Sequence, residues 1–185
     1  MPFQLFGASG KMRRLALIAL VALALTGGCK RRDKIVVQPT EEEGQALASV
    51  VRVADPRMAP QLVSGFHDVE QNSWRWTKSR FIVALRPPAG AATKGAKLEL
   101  KFSLPDAVFS KVGAVTLSAK IGATELPAEK FPKPGECTYT AEVPATVLNA
   151  DSVKVEFTLD KFLAAGAAEQ RELGVVVSSV GFEAK

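Results

Sequence analysis

Trp74 and Trp76 are the chain's two tryptophans, and Arg75 separates them in the stretch GFHDVEQNSWRWTKSRFIVAL, Gly65 to Leu85. Glu70 and the polar run Gln71–Ser73 come just before them. Residues two apart on a strand share a face, so both indoles point the same way. Flat aromatic rings stack on the apolar faces of sugars, and nearby polar groups then orient the hydroxyls. Trp74, Trp76, Arg75 and Glu70 are therefore the candidate ligand-binding residues. Phe81, Val83 and Leu85 have the opposite parity. Two arrangements meet that pattern. Either the strand is central and covered on both faces, with the tryptophans as core anchors, or the tryptophans form a platform at one end of a sandwich. A β-bulge near Thr77 would reset the parity.

The rest of the chain offers little chemistry. There is no glycine-rich phosphate loop and no nucleophile elbow. The single histidine, His67, adjoins Asp68, and the two point to opposite faces of a strand, which does not build a triad. Glu70, Glu125, Glu136 and Glu156 are available for carboxylate pairs of the kind that hydrolyse glycosides, but nothing in their spacing singles out a pair. Of the two cysteines, Cys137 is in phase with Tyr139, Ala141 and Val143, as a buried hydrophobe would be. One histidine and one such cysteine do not make a tetrahedral zinc site. No catalytic residue, metal or cofactor is expected.

The elements that position the tryptophans are strands. In KLELKFSL, Leu98, Leu100, Phe102 and Leu104 alternate with Lys97, Glu99, Lys101 and Ser103. AVTLSAKI, CTYTAEV and SVKVEFTL repeat this period of two, which suits a strand with one buried face and one wet face. Leu47–Val53, Gln61–Asp68, Trp74–Leu85 and Gly174–Phe182 are further strand candidates. Turn signals separate them at Asp55-Pro56, Pro87–Gly90, Leu104–Asp106, Pro132–Gly135 and Asn149–Asp151. Asp106–Val112 reads as about two helical turns, and the alanine-rich Lys161–Arg171 as a loop with some helical turn. The expected fold is all-β: an antiparallel, jelly-roll-like sandwich of about eight strands with one or two short helical turns.

GFHDVEQNSWRWTKSRFIVAL, LELKFSLP, GECTYTAEVPATVL, VKVEFTLDK and RELGVVVSSVGFE, in that order, resemble the jelly-roll accessory modules of bacterial proteins tied to glycan chemistry. The resemblance spans roughly Val63 to Lys185. It maps Gly65-Phe66, Glu70, Trp74-Arg75-Trp76 and Arg171-Glu172-Leu173-Gly174 onto that family's recurring motifs. It implies a carbohydrate-binding-like module. Arg171 and Glu172 are expected to pair with residues of the Trp-Arg-Trp strand, as structural latches.

The N-terminus bears on the address. The apolar run Leu15–Leu25 has eleven residues, against the roughly 20 that a spanning helix needs. Lys11, Arg13 and Arg14 precede it, as in a secretory leader, with Met1 or Met12 as the start. Thr26-Gly27-Gly28-Cys29 then resembles the lipobox of bacterial lipoproteins, although Leu25 lies one residue further back than that pattern usually places its leucine. The resemblance implies cleavage after Gly28 and a diacylglycerol on Cys29, and Lys30 after it implies the outer membrane. The chain therefore divides into a cleaved leader (1–28), a lipidated linker (29–46) and one β-sandwich domain (47–185). Loss of the leader takes the net charge from +5 to +2, too balanced to point to nucleic acid. The linker's Lys30, Arg31, Arg32 and Lys34 add attraction to anionic headgroups.

The residues together suggest a non-catalytic protein of the bacterial envelope, lipid-anchored on the periplasmic face of the outer membrane, that binds a glycan or another envelope component. The second reading is an assembly lipoprotein that contacts protein partners along a sheet edge. A hydrolase is the third.

Overall fold

The computed structural model describes residues 46–167 and 169–185. The leader, Cys29 and nearly all of the linker lie outside the described residues. Among the described residues nine strands form: β1 (Val50–Arg52), β2 (Leu62–Glu70), β3 (Trp74–Leu85), β4 (Ala96–Leu104), β5 (Val115–Ile121), β6 (Thr124–Phe131), β7 (Gly135–Val143), β8 (Val153–Leu159) and β9 (Val176–Ala184). Two short helices, α1 (Ala91–Lys94) and α2 (Asp106–Val112), join them. The strand order is β6-β5-β8-β3-β9-β4-β7, with β2 on β3 and β1 on β9, and every pairing is antiparallel.

The long strand β3 belongs to two layers. Arg80–Leu85 pair with β8, whereas Arg75 and Trp76 pair with β9. One layer therefore runs β6-β5-β8-β3 and the other β3-β9-β4-β7. Their inner faces meet through aromatic rings. Tyr139 of β7 packs edge-on against Phe157 of β8 at 6.3 Å between centroids, and Phe102 of β4 against Phe131 of β6 at 4.9 Å. Phe81 stacks on Phe157, its direct cross-strand partner. Leu98, Leu100, Phe102 and Leu104 are all buried, as are Val153, Val155, Phe157 and Leu159. The alternation in the sequence thus becomes the two inner faces of an antiparallel β-sandwich, and the expected fold class is the one found.

Local chemistry explains where the elements differ from expectation. β1 begins at Val50 rather than Leu47. The buried Gln61 side chain takes the place of a strand there: it accepts from Ala48 N at 2.8 Å and donates to Ala48 O and Ala84 O. β6 is the unanticipated strand, since Pro127 in its middle argues against one. It lies at the end of the strand order, and its register against β5 slips between Leu117 and Ala119, a bulge beside the proline. Among the described residues, the segment from Lys161 to Arg171 holds no helix. Leu163 and Leu173 bridge its two arms, and Gly166 N donates to Glu169 O at 2.7 Å.

Candidate functional site

Strand β3 keeps one phase from Trp76 to Leu85: Thr77, Phe81, Val83 and Leu85 are buried, Lys78, Arg80 and Ile82 between them are not, and only at the far end does Ala84 also become buried. Trp74 and Trp76 therefore keep the outward phase, half-buried. Before them the chain turns sharply. Gln71 and Asn72 take positive φ of 48° and 52°, and Ser73 N donates to Glu70 O at 3.1 Å. Two successive left-handed residues make the type I′ turn that suits the twist of a hairpin. That turn sets Glu70 directly opposite Trp74.

Trp76 also begins a lateral row. It pairs with Val176 of β9, Val176 pairs with Ser103 of β4, and Ser103 pairs with Glu136 of β7. At about 4.8 Å between strands, the row is about 14 Å wide. These residues enclose a cleft of ≈ 410 Å³ on the outer face of the layer, with Glu70, Ser73 and Trp74 at one side and Pro105 and Ser178 completing it. Its size falls within the range of small-molecule sites.

A bulge shapes the floor. Phe102 pairs with Val177 and Lys101 with Ser179, which leaves Ser178 as the extra residue of β9. Its Oγ donates to Lys101 O at 3.2 Å, and its carbonyl accepts from Val53 N. The extra residue lets Val175 and Val177 before it, and Val180 and Phe182 after it, all face the core. It also turns a small hydroxyl side chain into the cleft.

The motif Arg171-Glu172-Leu173-Gly174 locks this end of the sandwich. Arg171 Nη1 lies 2.7 Å from Glu70 Oε1, and Arg171 Nε lies 3.0 Å from Glu169 Oε1. Glu172 Oε1 accepts from Ser79 N at 2.6 Å, which holds its carboxyl below the usual range. Gly174 N donates to Thr77 O, and a Cβ on Gly174 would press on the Leu159 side chain and the Lys78 carbonyl. Glu172 thus meets the Trp-Arg-Trp strand itself, whereas Arg171 meets β2 through Glu70.

Of the sequence candidates, Glu70, Trp74 and Trp76 line the cleft together. Arg75 does not: it shares the phase of the buried Thr77, and its guanidinium donates to Val53 O at 2.8 Å and His67 O at 2.9 Å. His67 Nε2 in turn lies 2.7 Å from the Glu172 carbonyl. Glu136 joins Glu70 at the cleft, while Glu156 is held between Arg80 and Lys120, and Glu125 sits opposite Lys120. Ser103, Val176 and Ser178 carry no signal in the sequence beyond their outward phase, because their role follows from which strands adjoin β3. Cys137 is half-buried behind Glu136. Burial chiefly, and then the charge of Glu136, push its thiol up, so it behaves as a small hydrophobe. Among the described residues no group of three or more histidine, cysteine, aspartate or glutamate side chains is placed to hold a metal ion.

No family model matches the chain, and no curated protein matches it by sequence. Among solved structures, one similar chain is TmCBM27, a carbohydrate-binding module studied for specific mannan recognition. It is 10% identical, with a TM-score of 0.43, over 74% of this chain and 95% of that one.

Proposed function

We propose that this chain is a non-catalytic, lipid-anchored protein of the bacterial envelope that binds a glycan in the Trp74–Trp76 cleft. One observation carries the reading: two half-buried indoles share one outward face and wall a cleft whose other linings are carboxylates, serines, a proline and a valine. Sugars are amphipathic rings. Their C–H faces gain from desolvation against indole, and their hydroxyls need fixed acceptors and donors at the rim. Glu70 and Glu136 supply acceptors of the strong, charge-assisted kind, Ser103 supplies both roles, and Ser73 and Ser178, whose hydroxyls already donate to Gln71 O and Lys101 O, supply acceptors. The jelly-roll-like resemblance of the sequence agrees with this reading.

The anchor rests on the leader and Cys29. Two or more acyl chains hold a protein stably at a membrane, and the basic residues after Cys29 add to that hold. Mass spectrometry of the protein from its host is expected to show Cys29 as the acylated N-terminus, and Cys29→Ser to release the chain from the membrane fraction. For the cleft, oligosaccharides titrated against the chain are expected to alter tryptophan fluorescence and protect it from acrylamide. Trp76→Ala is expected to abolish binding at some cost in stability, because Trp76 is half-buried and also packs against the core, with a retained β-type circular dichroism spectrum showing that the chain stays folded. Binding that persists undiminished in both Trp74→Ala and Trp76→Ala would place the glycan elsewhere.

A further inference from the structure

The charges around the cleft are unequal, and they point to a narrower ligand class, on the premise that the cleft is a sugar site. Among the described residues two carboxylates line it, and no lysine, arginine or histidine does. The two carboxylates differ. Glu70 is ion-paired with Arg171 at 2.7 Å, a guanidinium it shares with Glu169. Glu136 is exposed and, among the described residues, has neither an ion pair nor a side-chain hydrogen bond. The negative potential at this edge extends inward: Glu136 and Glu129 both contribute, after burial, to raising the Cys137 thiol, and Glu129 does so for Tyr139. The cleft thus has an uncompensated anion at the β7 end of the Trp76–Val176–Ser103–Glu136 row and indole faces at the other.

We infer that the cleft takes a glycan bearing free protonated amines, a chain of 2-amino-2-deoxy sugars, in preference to its neutral or N-acetylated counterpart. An ammonium group gains from both ends of the row. Glu136 offers a charge-assisted acceptor, and the indoles offer the electron-rich face that attracts cations. The sugar ring stacks while the amine reaches across Ser103 to Glu136. An acetylated nitrogen keeps the stacking and loses the charge. An anionic sugar meets Glu136 as a like charge.

The test compares oligomers of glucosamine with the same oligomers fully N-acetylated, titrated calorimetrically into the full chain and its Glu136→Gln variant. The free-amine oligomer is expected to bind about tenfold more tightly at low salt, an advantage that shrinks as salt screens the exposed charge. In Glu136→Gln the free-amine oligomer is expected to lose most of that advantage, while the acetylated one, which keeps an amide oxygen as acceptor for its hydroxyls, weakens less. Glutamine is isosteric and Glu136 is exposed, so folding is not at stake. Equal binding of both oligomers to the natural chain, or an amine preference undiminished in Glu136→Gln, overturns this inference and leaves the sugar site standing. Failure of every neutral, acetylated and amine-bearing oligomer to bind overturns both.

Discussion

Arg171 and Glu70, 101 residues apart in the chain, meet at 2.7 Å on the flank of the tryptophan cleft. Glu70 is the cross-strand partner of Trp74, so this contact ties the loop before β9 to the wall of the cleft. Glu169 grips the same guanidinium from the loop side. The pair holds one oxygen of Glu70, and its geometry fixes where the carboxylate stands.

Arg171→Met is expected to separate position from stability. Both partners are more than a third exposed (40% and 37%), and pairs of that kind contribute less than about 1 kcal/mol. Urea unfolding should therefore move little. Binding of any ligand that contacts Glu70 should fall severalfold, because that side chain is freed to rotate. A loss of binding no larger than the loss of stability would reduce the pair to an ordinary surface contact.

Thr77 carries the junction of β3 with the segment entering β9. It is fully buried; its Oγ1 accepts from Val175 N at 3.1 Å and donates to Val175 O at 3.2 Å. Thr77→Val keeps the shape and orphans Val175 N–H. The expected cost is about 1–3 kcal/mol, read as a lower urea midpoint at unchanged m-value. An unshifted midpoint would mean that water or a relaxed backbone serves that group.

Gly65 lets β2 lie close over β3. Its φ is +80°, and a Cβ there would overlap the Arg80 carbonyl oxygen and the Phe81 backbone. Gly90 has nearly the same φ, +79°, with open space around it. Gly65→Ala should cost more than about 3 kcal/mol or prevent folding, whereas Gly90→Ala should cost about 1 kcal/mol. Thermal melts of the two variants separate steric overlap from backbone strain, and equal losses would assign both to strain.

Acid should unfold the domain through its hydrogen-bonded carboxylates. Glu172 sits below its ordinary value because Ser79 donates to it, and Glu156 because Arg80, and then Lys120, donate to it. A group depressed on folding adds stability above its unfolded value, near 4.3, and loses it as pH falls through the folded value. Urea midpoints should be level from pH 7 to about 5 and drop below about 4.3. Glu172→Gln should make that drop shallower. A midpoint that rises on acidification would contradict these assignments.

Much of the sandwich was legible because alternation is a local property. Leu98, Leu100, Phe102 and Leu104 announce a buried face whatever strand lies beside them, and the shared phase of Trp74 and Trp76 follows from spacing alone. β6 was not legible, because Pro127 is tolerated only where a strand has a free side and a bulge, and both depend on neighbours. Arg75 looked like a ligand contact by its position between two tryptophans. Its partners, the carbonyls of Val53 and His67, exist only once β1 and β2 are in place.

The sequence by itself determined which residues face in and which face out, since a pleat allows no other assignment to a strict period of two. Only the tertiary structure decided what the outward tryptophans look upon. Val176, Ser103 and Glu136 come beside Trp76 because β9 and β4 insert between β3 and β7, an order set by how two layers of side chains fill one core. The bulge at Ser178, which aims its hydroxyl at the cleft, is likewise a matter of register between strands 77 residues apart, Ser178 on Lys101. Pairing energy depends on partners that no local pattern names.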